Sequence, residues 1–161
     1  MTAAAHQRRI VVGIGNPDRG DDGAGRMVAR RLRGMLSPEV EVIEHDGEAA
    51  SLLARIDGAA AAFLVDACAS GAPSGTVRRF DAAAAPLPRS AFGLPSTHGF
   101  GLGEAVELGR ALGQLPAECI DYAIEGAAFE IGAPLGDEVA AAVGRVARAV
   151  GDELTDRGAD R

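Results

Sequence analysis

Near its start the chain reads IVVGIGNPDRGDDGAGRMV, residues 10–28. The apolar run over 10–14 is short and is followed by turn residues, which is typical of a strand buried on both faces. After Asp22 the apolar residues recur at helical spacing, so we predict a helix there, with Asp21 and Asp22 capping free N–H groups at its start. A buried strand, a turn and an amphipathic helix in that order indicate an α/β fold.

The same alternation of strand and helix continues along the chain. It predicts an α/β three-layer sandwich, with a twisted, mostly parallel five-stranded sheet and helices on both faces. The right-handed crossover rule places the first and third strands near each other. The further predicted strands are 40–43, 60–65, 75–80 (an exposed edge strand) and 119–124, and the further predicted helices are 49–56, 102–112 and 137–154.

Length and composition restrict the class of protein. A chain of 161 residues predicts a single domain over 1–161, with an ordered core over 9–154 and flexible tails at 1–8 and 155–161. The net charge of −7 argues against a nucleic-acid partner, and the two cysteines are expected to be buried thiols. No apolar run is long enough for a membrane span or a signal peptide, so we expect a cytoplasmic protein without a membrane partner.

Three polar residues are predicted to meet at the carboxyl edge of the sheet. Asp22 follows the first strand, Asp66 ends the third, and His98 lies in the loop before the helix at 102–112. Ligands of open α/β sheets bind at this edge, and two carboxylates with one imidazole suit a divalent ion. Two alternatives remain open: Asp22 as a helix cap and His98 as a hydrogen-bonding loop residue. His45 and the acid after it could join the site, but turn formation explains them equally well.

The first loop does not fit a dinucleotide site. Its Gly13-Ile14-Gly15 begins like the glycine-rich fingerprint, but the position of the last glycine holds Asp18. Asp18, Asp21 and Asp22 would also repel a pyrophosphate. The sequence has no phosphate-binding Walker loop, no serine elbow and no zinc-protease helix motif, so the chemistry is expected to come from the two acids and the histidine.

A set of short motifs in a fixed order resembles the nickel–iron hydrogenase maturation proteases. The resemblance covers about residues 9–150, and its most specific motif is Gly-Asp-Asp-Gly at 20–23. The motifs are Val12-Gly13-Ile14-Gly15-Asn16-Pro17, Gly20-Asp21-Asp22-Gly23-Ala24-Gly25, Leu64-Val65-Asp66-Ala67, Gly75-Thr76-Val77, Ser96-Thr97-His98-Gly99-Phe100-Gly101-Leu102 and Ile124-Glu125-Gly126.

The resemblance implies a phosphorylase/hydrolase-like fold and an endopeptidase activity. Members of that family remove a C-terminal extension from the hydrogenase large-subunit precursor after nickel insertion. The matching motifs imply that Asp22, Asp66 and His98 are both the metal-contacting and the catalytic residues. The nickel would be supplied by the substrate, with no organic cofactor, and the enzyme would act as a monomer on the precursor.

One segment departs from the family pattern. The family often has Asp-Gly-Gly-Thr or Asp-Gly-Gly-Ser after the second strand, a segment linked to recognition of the partner. Here the segment is Asp46-Gly47-Glu48-Ala49, so a charge stands where a small residue is usual. The resemblance implies a recognition role for Asp46, Gly47 and Glu48, and the change bears on which hydrogenase is the partner.

Three other classes of protein compete with this interpretation. Peptidyl-tRNA hydrolase shares the Gly-Asn-Pro start, but that family continues with Thr-Arg-His-Asn and has a basic RNA-binding face. Here the chain continues with Gly20-Asp21-Asp22-Gly23, and the net charge is −7. A non-proteolytic hydrogenase assembly factor, or a metallochaperone of the same fold, would bind the precursor without shortening it. An α/β protein with a capped helix and no site would do neither.

Overall fold

A single five-stranded sheet organises the chain. The computed structural model describes residues 8–88 and 102–159. The strands run in the order β2-β1-β3-β5-β4, with β4 antiparallel to β5 and all other neighbours parallel. The predicted pairing of the first and third strands is confirmed. The strands are β1 (Arg9–Ile14), β2 (Val40–His45), β3 (Ala61–Cys68), β4 (Val77–Asp81) and β5 (Glu118–Glu125).

Helices cover both faces of the sheet, as predicted. The described helices are α1 (Ala24–Leu32), α2 (Ala49–Ile56), α3 (Leu102–Ala111) and α4 (Asp137–Ala159). On one face, apolar side chains of α1 and α4 pack against the sheet in one core cluster. On the other face, α2 and α3 pack in a second cluster.

The apolar runs form the buried strands for a simple reason. Every residue of β1 is buried, because helices lie on both sides of it and strands lie at both of its edges. The edge strand β4 is only partly buried, in keeping with its alternating sequence.

Both cysteines, Cys68 and Cys119, are buried free thiols, as predicted.

Several predicted boundaries are wrong. The third strand continues past Asp66 to Cys68, and β4 begins at Val77 and not at Gly75. Two helix ends also differ. The first helix begins at Ala24 and not at Asp22, because a 3₁₀ turn over Gly20–Gly23 comes before it. The last helix continues to Ala159, so residues 155–159 are helical where a tail was predicted. A polar sequence alone does not end a helix, and the Thr155 hydroxyl donates to the Gly151 carbonyl within the added turn, at 2.8 Å.

The strand order indicates the edge of the sheet at which a ligand is expected to bind. From β1 the chain moves outward to β2 and then returns across β1 to β3, so the direction of strand order reverses between β1 and β3. Open α/β sheets bind ligands outside the carboxyl ends of the strands at such a switch point. Asp22 follows β1 and Asp66 lies in β3, on the two sides of this point. Within the described ranges, no helix is both long and apolar enough to cross a bilayer.

Candidate active site

The loop after β1 folds back onto Asp22. Gly15 has a φ of +141°, and a Cβ at this position would lie 1.9 Å from the Asp22 carbonyl oxygen, so only glycine allows this approach. The Asn16 N–H donates to the Asp22 carboxylate at 2.9 Å. The Arg26 guanidinium donates to the Gly15 carbonyl at 2.7 Å and fixes the other side of the loop.

The helix after this loop lies directly against β3. A Cβ on Gly25 would be 2.2 Å from the Val65 carbonyl oxygen, so the backbones of α1 and β3 are in contact there. Val65 is the residue before Asp66. The glycines of the first motif therefore bring the turn that carries Asp22 beside the end of the strand that carries Asp66.

Asp66 lies in an environment that favours its neutral form. The residue is partly buried, and its carboxyl accepts a hydrogen bond from the N–H of Ala67 at 2.8 Å. Burial and the nearby charge of Asp22 raise the pKa of Asp66 from 3.8 to about 8. The fold thus holds Asp66 close to a second acid that opposes its ionisation. A cation that enters between them would stabilise both in the charged form.

The adjacent acid, Asp21, has a different role. Its buried carboxylate accepts three backbone N–H groups, from Ala127 at 2.8 Å, Ala128 at 2.9 Å and Gly136 at 2.8 Å. Burial alone would raise the pKa of Asp21, but these three bonds outweigh it and hold the pKa below its usual value. Asp21 therefore fastens the loop after β5 to the loop after β1.

The predicted capping role of these two acids is wrong. The residue before α1 is Gly23, and no side chain caps this end of the helix. The 3₁₀ turn directs the carboxylates elsewhere: Asp21 bonds the loop after β5, and Asp22 bonds Asn16. The interpretation of Asp22 as only a helix cap is therefore excluded.

The segment after β2 forms a hydrogen-bonded turn at the same edge of the sheet. The Gly47 N–H donates to His45 Nδ1 at 2.9 Å, so the ring proton of His45 is on Nε2. The Nε2–H donates a hydrogen bond to the Ser51 hydroxyl oxygen at 2.9 Å. Burial lowers the pKa of His45 and keeps the ring neutral. Turn formation, one of the two alternatives for His45 and Asp46, thus accounts for the histidine.

The recognition residues Asp46 and Glu48 also have partners inside this turn. Asp46 is exposed, and its carboxylate accepts the N–H of Glu48 at 2.9 Å. The Glu48 carboxylate caps α2 by accepting from Ala50 at 2.9 Å and Ser51 at 2.7 Å. Gly47, with a φ of +93°, supplies the left-handed residue of the turn. Their role in recognition stays a prediction.

The third member of the predicted set, His98, lies outside the described residues. Within 8–88 and 102–159, no group of three or more His, Cys, Asp and Glu side chains is arranged to hold a metal ion. The described part of the site is therefore the pair of Asp22 and Asp66. Two carboxylates are suitable but incomplete ligands for a divalent ion, which takes three or more protein groups in most catalytic sites.

Two further buried acids lie in β5, and neither is among the site residues predicted from the sequence. Glu125, at the carboxyl end, is buried and accepts from the hydroxyl and N–H of Ser70 and from the Cys68 thiol. Asp121 is fully buried in the middle of the strand. A single acid inside the apolar run Cys119–Ile124 was the sequence signal that could have found Asp121.

Comparison with protein families assigns the chain. The model of the family described as hydrogenase maturation protease, HycI, matches residues 27–153, which include Asp66 but not Asp22. The chain belongs to the hydrogenase maturation protease family. It is accordingly a peptidase, which confirms the hydrolase predicted from the resemblance. Comparison with curated proteins gives no match.

Solved structures have the same fold at low sequence identity. The hydrogenase maturating endopeptidase HybD from E. coli is 22% identical with a TM-score of 0.77, and the alignment covers 94% of each chain. The solution structure of an endopeptidase from Escherichia coli has a TM-score of 0.81 at 21% identity, again with 94% of each chain covered. The hydrogenase maturation protease HycI from Thermococcus kodakarensis KOD1 has a TM-score of 0.68 at 23% identity, with 92% of this chain and 93% of that chain covered. These similarities confirm the predicted fold class.

Proposed function

We propose that this protease removes the C-terminal extension of a nickel–iron hydrogenase large-subunit precursor after nickel insertion. In this proposal the nickel in the precursor is part of the substrate, and Asp22, Asp66 and His98 contact it. The single observation that supports it most is the placement of Asp22 beside Asp66, where the charge of one raises the pKa of the other. The partner is the precursor, and the enzyme acts as a monomer without an organic cofactor.

The paired acids provide selectivity for a metal-loaded substrate. Without a cation, the burial of Asp66 and, after it, the nearby charge of Asp22 disfavour the charged form of Asp66. A divalent ion presented by the docked precursor favours that form. A precursor without nickel has no such ion to offer, so it binds more weakly at this edge.

The same residues can carry the peptide-bond cleavage. Nickel would polarise the scissile carbonyl or a bound water. Asp22 or Asp66 takes a proton from the attacking water, the hydroxyl oxygen bonds to the carbonyl carbon, and the carbon–nitrogen bond breaks as the leaving amine gains a proton. In a second version of the mechanism, nickel only positions the precursor and the carboxylates do the remaining work.

The turn that carries Asp46, Gly47 and Glu48 adds a recognition surface. It lies next to the loop after β1, because the Gly15 N–H donates to the His45 carbonyl at 3.0 Å. The exposed carboxyl of Asp46 could therefore contact the precursor when its metal is held at Asp22 and Asp66. The extra charge of Glu48 is bound into the cap of α2, so it affects the partner mainly through the shape of the turn.

The test is the mass of the large subunit in the source cells. Cells without this gene are expected to accumulate the longer precursor, and the wild-type gene should restore the shorter form. A gene with Asp66→Asn should fail, while one with Glu39→Gln, an exposed acid just before β2, should succeed. A subunit that is shortened normally without the gene would contradict the proposal, and association without shortening would favour the assembly-factor alternative.

Peptide substrates without metal offer a second check. Because selectivity depends on the ion, cleavage of casein or of a random peptide library should be very slow or absent. Rapid cleavage of such substrates would indicate an ordinary protease with no need for a metal-loaded partner.

A further inference from the structure

Asp121 is a carboxylic acid in the interior of the sheet. It lies in the middle of β5, between Ile120 and Tyr122, and its side chain is 0% exposed. Side chains alternate along a strand, so Asp121 lies on the opposite face from these two residues, which belong to the core under α1 and α4. Asp121 therefore lies on the face that α2 and α3 cover.

Within residues 8–88 and 102–159, the carboxyl of Asp121 has none of the hydrogen-bond partners that such a group normally has. Neither of its oxygens accepts a hydrogen bond from any residue of the described ranges. A buried polar group without a partner is costly, and most such groups are explained by a function, a water or an ion. In Asp21, by contrast, the chain satisfies a buried acid with three N–H groups.

The strand register places Asp121 on the strand next to Asp66, diagonally across from it on the same face of the sheet. Asp121 is paired with Leu64, and Asp66 lies two residues further along β3 on the same face. From the spacing of strands and the rise per residue, their Cα atoms are about 8 Å apart. The charge of Asp66 also adds to burial in raising the pKa of Asp121 well above its usual value. The two acids therefore interact electrostatically through the sheet face.

We propose that Asp121 is a positioning residue of the cation site, a second buried acid behind Asp66 that increases the attraction of this edge for a divalent ion. It acts through Asp66 and not by direct contact with the substrate. This role rests on the proposed cation binding by Asp22 and Asp66. It explains why an acid stands where an apolar residue would pack at lower cost.

Calorimetric titration of the purified full chain with nickel(II) chloride tests the proposal. Asp121→Asn keeps the size of the side chain but can carry no negative charge when a cation is bound at Asp66, so it should weaken nickel binding about tenfold. Asp121→Leu should weaken binding at least as much while raising the melting temperature, because it removes a buried carboxyl. Glu39→Gln is the matched control and should bind like the wild type.

The outcomes separate this role from the proposed function. Wild-type affinity in both Asp121 variants would overturn the role of Asp121, and so would the absence of any nickel binding by the wild-type chain. Neither result decides whether the protein shortens the precursor, which is measured separately by mass. If Asp121→Asn does not fold, Asp121→Leu still provides the measurement. With metal-loaded precursor, weaker ion binding should also raise KM more than it lowers kcat.

Discussion

Asp21 and Asp66 lie at the same edge of one sheet, but their surroundings are opposite. Three backbone N–H groups hold Asp21 in its charged form and lower its pKa. Asp66 accepts the N–H of the next residue, and burial together with the charge of Asp22 raises its pKa to about 8. The fold stabilises the charge of the first acid and opposes the charge of the second.

Under the proposed function, this difference distinguishes an acid that stabilises the fold, Asp21, from an acid of the candidate site, Asp66. Asp21 connects two loops that are more than a hundred residues apart in the chain, so its removal should damage the fold. The raised pKa of Asp66 means that this acid should lower the stability of the fold at neutral pH, and the proposed cation binding would account for its presence. Active sites commonly show such a conflict between stability and function.

The largest expected effect is the loss of activity in Asp66→Asn. The change keeps the shape of the side chain but removes the carboxyl that would contact nickel or take a proton, so we expect processing of nickel-loaded precursor to fall by at least about 100-fold. The melting temperature should stay the same or rise. Rates from intact-mass measurements and melting curves check both parts, and a variant that processes at the wild-type rate would remove Asp66 from the mechanism.

Asp21→Ala should have the opposite signature. It removes an acceptor of three N–H groups, and we expect a loss of about 3 kcal/mol in the free energy of unfolding. Urea unfolding measures this loss. Asp18→Ala, at an exposed acid in the same loop, is the control and should change little. An Asp21→Ala chain as stable as the wild type would show that the clamp between the two loops is unimportant.

The same comparison predicts a pH dependence of stability. In the folded chain without metal, Asp66 keeps its proton up to a pH of about 8, whereas in the unfolded chain it loses it near 3.8. Folded protein thus binds more protons between these values, and stability is lost as pH rises through this range, by at most about 1.4 kcal/mol per pH unit. Asp21 acts in the opposite direction, and its contribution is lost as pH falls below the usual range of an acid.

Asp66→Asn is the control for this pH effect. Between a pH of about 4 and about 8, the free energy of unfolding should fall less in Asp66→Asn than in the wild type, because the variant has no carboxyl at position 66 to titrate. Chemical unfolding at a series of pH values provides the data. If stability depends on pH in the same way in both proteins, the pKa of Asp66 is not raised by the fold. The inferred difference between Asp21 and Asp66 would then be wrong.

The smallest expected effect is at Glu48, an acid that is bound to backbone N–H groups like Asp21 but on the surface. Glu48→Ala removes the cap of α2 and should lower stability by about 1 kcal/mol. Glu48→Ser keeps a capping oxygen and should restore most of that loss. Glu48→Ser should therefore be nearly as stable as the wild type. If it nevertheless processes a different precursor, or processes the usual one more slowly, then Glu48 contributes to recognition as well as to the helix cap.

Much of the fold could be predicted from the sequence because the apolar runs are distinct. The helix at Ala49–Ile56 was predicted with its observed bounds, and the adjacency of β1 and β3 followed from the crossover rule. Asp22 and Asp66 were predicted to lie at one edge of the sheet because the carboxyl ends of parallel strands share that edge, and the structure places both there. Their role in the reaction stays a prediction.

The roles of Asp21 and Asp121 could not be predicted in the same way. Asp21 and Asp22 are identical neighbours, and only the loop near Ala128, far along the chain, distinguishes them. Asp121 is visible as an acid in an apolar run, but its relation to Asp66 depends on the register of β3 against β5, which sequence periodicity does not set. Both roles depend on contacts between residues far apart in the chain, and local sequence patterns do not predict such contacts.

The most direct test compares one precursor in two metal states. Purified large-subunit precursor, with and without nickel, is mixed with the wild-type protease, and the intact masses are followed with time. We predict that only the nickel-loaded form loses its C-terminal extension, and that Asp66→Asn leaves both forms at full length. Shortening of both forms at equal rates, or shortening of neither, would contradict a site in which the paired acids recognise the metal of the substrate.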